Sequence, residues 1–295
     1  MAEEPKRPGG GAGRAGSGRA GSSRAGSGRT SGGRPSRARR EATPGSTGPS
    51  RPKVARPPLP EGVDWLELDV DVRGQLRSLP KSLAETVGSH LYAAGMLLDE
   101  DADAAYAHAL TARRLASRVA AAREAAGVTA YRSGRWSEAV AELRAYRRMT
   151  GSEEHLPLLA DAERALGRPE RALELADTPA TRGLDPNTRA ELLLVVAGAR
   201  RDLGQLEAAL VELQGPAQRS QAGQEWAARL RYAYADALLA ADRVDEAVQW
   251  FEAAAQVDPE GRTDAEDRLL ALSGVVIAEA DDSAAGPAAD EVGDR

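Results

Sequence analysis

The 295-residue chain has no cysteine and only three histidines, His90, His108 and His155. The first absence excludes disulfides and thiolate metal ligands, although it leaves the cellular compartment open. The three imidazoles are far apart in the chain and show no HExxH-like spacing, so neither a metal site nor a cofactor is expected. No segment approaches the roughly 18 consecutive apolar residues of a membrane span, and the opening MAEEPKRPGG has no apolar run behind its charges. A soluble cytoplasmic protein without membrane contact is the expectation. Signatures of catalysis are missing too. There is no Walker lysine motif and no GxSxG, and the glycines of KRPGGG lack the strand and helix that a phosphate loop requires. Carboxylate pairs such as Glu153/Glu154 have the pattern of solvated helix starts, so a noncatalytic protein is expected.

Apolar residues are scarce in the first part of the chain. Residues 1–58 hold only Met1 and Val54 from the set of large apolar and aromatic types, too little to offset the entropy of ordering. A disordered arm over 1–60 follows. It is basic, with a net charge of +10 over residues 1–58 against −16 for the remainder. The phrase RAGSG RAGSS RAGSG RTSGG R spaces Arg14, Arg19, Arg24, Arg29 and Arg34 five residues apart in a flexible Gly/Ser context. Such spacing suits contacts to nucleic-acid phosphates through counterion release. No aromatic residue is interleaved to stack on a base, which favours weak nonspecific contact or a solubilising tail over specific nucleic-acid binding. Arginine outnumbers lysine 36 to 3, a bias that a GC-rich genome produces without selection on function.

After Pro57, Pro58 and Pro60, the run EGVDWLELDVDV alternates Trp65, Leu66, Leu68, Val70 and Val72 with acids, which predicts an extended strap anchored by Trp65. Strap and lead-in helix together occupy 61–79. A helix over about 80–98 buries Leu83, Val87, Leu91 and Tyr92, with Ser82 and Glu85 as a capping box. The acids between Leu98 and Asp103 lack the glycine and distal glutamate of an EF-hand loop and fit a helix start better.

Residues 80–262 then repeat. Aligned small residues fall at Ala105, Ala139, Ala172, Ala209 and Ala247, and twelve positions before each stand Ala93, Gly127, Ala160, Ala197 and Ala235. Small side chains at both places let paired helices cross closely. Five before the second set's partners, Gly134, Gly167 and Gly204 supply the left-handed residue that ends one helix and opens the turn, while Glu100 and Asp242 stand there in the outer units. Pro169 and Pro186 mark helix starts, Pro179 and Pro216 helix ends, and Pro157 a short helix starting near His155. Thr263 and Glu266 predict a capping box for a last helix over 263–280, with Leu269, Leu272, Val276 and Ala280 on one side; an acidic disordered tail occupies 281–295.

The best-formed unit, Trp226 to Pro259, carries Tyr234, Ala235, Leu238, Ala247, Phe251, Ala254 and Pro259 where the tetratricopeptide repeat (TPR) family places its signature residues, and GRWSEAVAEL at 134–143 is the next closest. The chain resembles that family. The resemblance implies an all-α solenoid of about five helical hairpins wound as a right-handed superhelix, closed by the last helix as a cap. It implies a noncatalytic scaffold whose groove, lined by the first helix of each hairpin, holds a peptide or helix of a partner protein. Carried over by position, the groove residues are His90, Glu124, Tyr131, Asp161, Arg164, Arg201, Tyr232 and Asp236. Arg164 and Arg201 would grip one acidic group, and Tyr131 and Tyr232 would serve as aromatic anchors. The alternative is an RNA-associated protein whose arm makes the phosphate contacts and whose repeats are an assembly platform.

Overall fold

Helix starts and stops in this chain are set by a few side chains and by glycine turns. The computed structural model describes residues 56–274, which belong to a single unit, and is all-α over that span, with no strand among the described residues. The helices are α1 (Val70–Leu76), α2 (Lys81–Met96), α3 (Ala102–Leu115), α4 (Ala120–Arg132), α5 (Trp136–Thr150), α6 (Leu156–Ala165), α7 (Pro169–Ala176), α8 (Pro186–Asp202), α9 (Leu206–Arg219), α10 (Ala227–Ala240), α11 (Val244–Ala255) and α12 (Ala265–Leu272). Short 3-10 turns occupy Trp65–Glu67 and Pro179–Gly183. The basic arm through residue 55, the acidic tail, and Val276 and Ala280 lie outside the described residues.

From α2 onward the helices pair α2/α3, α4/α5, α6/α7, α8/α9 and α10/α11, each pair antiparallel across a short turn. The first helices also touch one another in the series α2, α4, α6, α8, α10, so they form one face, while each second helix packs on the first helix of the next pair. The alanines at 105, 139, 172, 209 and 247 are all wholly buried at these crossings. Gly127 shows why size matters there, because a Cβ at that position would stand 2.6 Å from Leu143 Cδ2. Larger apolar side chains fill the spaces between: Val87, Leu91 and Leu76 at one end, Leu143, Leu156 and Leu159 centrally, Leu213, Leu230, Leu238 and Phe251 at the other.

Four of the five turns share one geometry. Gly134, Gly167 and Gly204 have φ 71° and Asp242 has φ 60°. The next residue donates its N–H back across the turn: Arg135 to the Ala130 carbonyl at 2.8 Å, Arg168 to Glu163 at 3.0 Å, Gln205 to Arg200 at 2.8 Å and Arg243 to Leu238 at 3.0 Å. This is the Schellman bond, which satisfies a carbonyl that the helix end would leave open. The α2–α3 turn differs: Glu100 is not left-handed, and the Asp101 carboxylate starts α3 by accepting from the Ala104 N–H. Of the neighbouring acids, Asp99 pairs with Arg132 and Asp103 with Arg135.

Several expectations are corrected. The 63–72 run is not extended. Asp64 accepts from the Leu66 N–H and Asp69 from the Asp71 N–H, so the alternating acids are caps of a 3-10 turn and of α1. Trp65 lies over Gly88 of α2, where a Cβ would be 3.0 Å from its ring. Ser82 does not cap α2, whose N-cap is Pro80 without a side-chain bond. Thr263 is not a cap either: its N–H and hydroxyl both donate to Asp258, at 2.7 Å each, and α12 follows Asp264. Helix α12 ends at Leu272 with a turn at Ser273 and Gly274, and 275–280 of the expected helix lie outside the described residues. Pro216 sits inside α9 rather than at its end. No described helix is long and apolar enough to cross a membrane.

Candidate functional site

The face made by α2, α4, α6, α8 and α10 carries most of the positions that the resemblance singled out, and its side chains are largely engaged with one another. Tyr131 on α4 donates its hydroxyl to Asp161 Oδ2 on α6 at 2.6 Å. Asp161 also accepts from Arg164 at 2.8 Å, and Arg164 Nε reaches Asp202 at the end of α8 at 2.5 Å. The guanidinium of Arg164 lies against Gly198, where a Cβ would come within 2.8 Å of it. One step along, Arg201 donates to Asp236 at 2.5 Å, and Arg268 of α12 holds the other oxygen of Asp236 at 2.9 Å. Glu191 and Arg229 make a further bridge between α8 and α10.

Electrostatics follow this pairing. Burial, then the bond to Asp161, pushes the Tyr131 hydroxyl up from its ordinary value. Burial, then Asp264, pushes Tyr232 up to about 12. Of the two phenols, Tyr131 donates its hydroxyl within the chain. Their rings are committed as well, Tyr131 against Trp136 with centroids at 5.3 Å and Tyr232 against Phe251 at 5.3 Å, both edge-on. Arg164 and Arg201, the pair expected to grip one external acid, each hold carboxylates of their own array.

His90 is not on this surface. It is 3% exposed, between α2 and α3, with its Nδ1 2.9 Å from Nδ1 of His108. Glu124 is half-buried on α4 and its Oε1 lies 2.9 Å from Nε2 of His155, the residue that precedes α6. Glu154 brings a second carboxylate to the same imidazole at 3.8 Å, and the Tyr146 hydroxyl donates to Glu154. Oxygen and nitrogen donors of Glu124, Glu154 and His155 all lie within 4.8 Å of one another, the spacing of a metal-binding trio. Sequence separation hid this convergence, since 31 residues divide Glu124 from His155. Arg14, Arg19, Arg24, Arg29 and Arg34 lie outside the described residues.

Two concavities accompany these groups. Beside Glu124 is an apolar cleft of about 240 Å³ walled by Leu68, Val72, Leu91, Ala121, Ala125 and Val128, with Glu124 its one titratable group. A larger, open cleft of about 950 Å³ lies among α7, the 179–183 turn, α8 and α9, floored by Leu173, Leu192, Leu193 and Val196 and rimmed by both acids and arginines. Its breadth follows from α7, which is only 8 residues long. The apolar cleft can hold one hydrocarbon side chain against a carboxylate rim; the larger one offers area but no convergent polar set. No protein-family model and no curated protein matches this chain.

Proposed function

We propose that the repeated helix pairs form a TPR-type solenoid and act as a noncatalytic scaffold, holding an extended or helical segment of a partner protein along the face of α2, α4, α6, α8 and α10. Support for the repeat reading comes from the wholly buried alanines at 105, 139, 172, 209 and 247 and from the four matching turns. The observation that carries the binding reading is the apolar cleft of Leu68, Val72, Leu91, Ala121, Ala125 and Val128 on that face. A half-open pocket with a carboxylate at its edge suits an apolar anchor flanked by a basic group, the pattern of a short linear segment. The paired arginines and aspartates elsewhere on the face then act as braces between first helices, keeping the cleft in register.

The test is selection of peptides from a random display library on the full chain, followed by fluorescence anisotropy with the winners. Peptides carrying an apolar residue next to lysine or arginine are expected, and Leu68→Glu should weaken them by about tenfold, the effect of placing an unpaired charge in an apolar pocket. Helix content by circular dichroism should stay the same. Equal binding by the variant would remove the cleft from the site and the proposal with it.

A further inference from the structure

We propose that Glu124, Glu154 and His155 bind a divalent transition-metal cation of the zinc class. Donor identity and spacing carry this site, and it shares Glu124 with the apolar cleft.

Three donors converge from two separate places, one from the middle of α4 and two from the connection that leads into α6. In a tetrahedral site with metal–ligand bonds of about 2.1 Å, neighbouring donors stand about 3.4 Å apart. His155 Nε2 lies 2.9 Å from Glu124 Oε1 and 3.8 Å from Glu154 Oε1, so the two distances bracket that value. Small rotations of two carboxylates, one half-buried and one exposed, bring both donors onto a common ion. An outer partner is in place. Tyr146 is 8% exposed and donates its hydroxyl to Glu154, the kind of contact that orients a ligating carboxylate.

The donor set also selects the class of ion. One imidazole and two carboxylates suit zinc and its neighbours in the first transition row. Calcium takes six to eight oxygens and magnesium a rigid octahedron of them, and two glutamates with an imidazole supply neither. Three protein donors leave the fourth position open to water or to a side chain of another molecule. Bound metal would tie α4 to the α5–α6 connection, fixing two successive helix pairs against each other.

The composition of the chain makes the proposal easy to test. There is no cysteine, and His90 and His108 are each 3% exposed with their Nδ1 atoms facing each other. Any histidine-dependent zinc binding by the folded protein therefore reports on His155. Calorimetric titration of the full chain with zinc chloride should give one ion per chain, and cobalt(II) in its place should develop the intense visible absorption of a tetrahedral site. His155→Ala and Glu124→Gln should each weaken zinc by about 10–100-fold, at least the loss that an outer partner causes. Because a variant can fail by unfolding, zinc is also titrated into the unsubstituted chain while the imidazole proton resonances are followed. Those of His155 should shift and those of His90 and His108 should not. Unmoved His155 resonances at excess zinc, zinc binding undiminished in a folded His155→Ala chain, or calcium binding as tight as zinc would overturn the proposal.

Discussion

Nδ1 of His90 and Nδ1 of His108 face each other at 2.9 Å across the α2–α3 interface, with both rings buried. One nitrogen must donate and the other accept, so the contact requires at least one neutral ring. Burial first, then the proximity of His108 and of Arg56, lowers the His90 value from 6.5 to about 4, and burial lowers His108 as well. An unfolded chain takes up these protons near 6.5. Below that pH it binds more protons than the folded chain, so the stability tied to the pair is complete above 6.5 and drains away as pH falls through about 4. The urea midpoint should be flat from pH 8 to 7 and then decline, with His90 contributing roughly 3 kcal/mol over the window. His90→Gln should flatten that decline. A variant with the unchanged pH slope would show that the histidine pair is not its source.

The α4–α5 crossing at Gly127 yields a prediction of opposite signs for one kind of substitution. Replacing a helical glycine with alanine ordinarily stabilises by about 1 kcal/mol. At Gly74 in α1 nothing lies within 4 Å of the new Cβ, so Gly74→Ala should gain stability by about that amount. At Gly127 the Cβ meets Leu143 Cδ2 at 2.6 Å, Cγ at 2.8 Å and the backbone nitrogen at 3.2 Å, and Leu143 is itself 1% exposed. Gly127→Ala should lose about 1–3 kcal/mol through overpacking. Thermal unfolding of the two variants side by side reads the difference; a stabilised Gly127→Ala would mean that α4 and α5 do not approach so closely.

How legible these features were depended on how far apart in the chain their parts stand. The small residues and turn glycines recur in the sequence itself, and an alanine or glycine at a crossing has few other reasons to recur, so the helix pairs could be read directly. Local polar pairs were harder to read because one residue type serves two ends. The acids between Trp65 and Val72 mimic strand alternation, yet Asp64 and Asp69 each take a backbone N–H two residues on. Contacts between repeats were invisible from any one segment: Tyr131 to Asp161 spans 30 residues, Arg164 to Asp202 spans 38 and Arg201 to Asp236 spans 35. A signal for them did exist. With a period near 34, complementary polar side chains about one repeat apart are neighbours in space. Glu124 and His155, 31 apart, obey the same rule, whereas the His90–His108 contact at 18 residues is a pairing within one hairpin.

Asp242 occupies the turn position at which the three preceding turns have glycine, with φ 60°. A side chain in the left-handed region carries a steric cost that aspartate partly escapes and glycine lacks. The Schellman bond from Arg243 to Leu238 is already formed, so the backbone has nothing to rearrange. Asp242→Gly should raise stability by about 0.5–1 kcal/mol, the gain in the folded state less the added freedom of the unfolded one. Chemical denaturation followed by circular dichroism measures it, and a loss would mean that the Asp242 side chain contributes a contact worth more than the strain.

Glu142 on α5 is 7% exposed, forms an ion pair with Arg113 of α3 at 2.6 Å and accepts from Arg123 of α4 at 2.6 Å, so one carboxylate joins three helices from two successive pairs. Two guanidiniums gathered at one point depend on it. Removing the carboxylate leaves like charges facing each other in a partly desolvated place, and breaking a buried pair from one side costs more than the pair contributes as a whole. Glu142→Gln should therefore lose about 2–4 kcal/mol. The stronger test replaces the whole group. A chain with Glu142→Leu, Arg113→Met and Arg123→Met keeps the volume and deletes every charge, so its urea midpoint should return close to that of the original protein. If the triple variant is no more stable than Glu142→Gln, the carboxylate and its arginines supply net stability between the first and second helix pairs. Recovery would mean that they fix how the two pairs meet and add little to how firmly they hold.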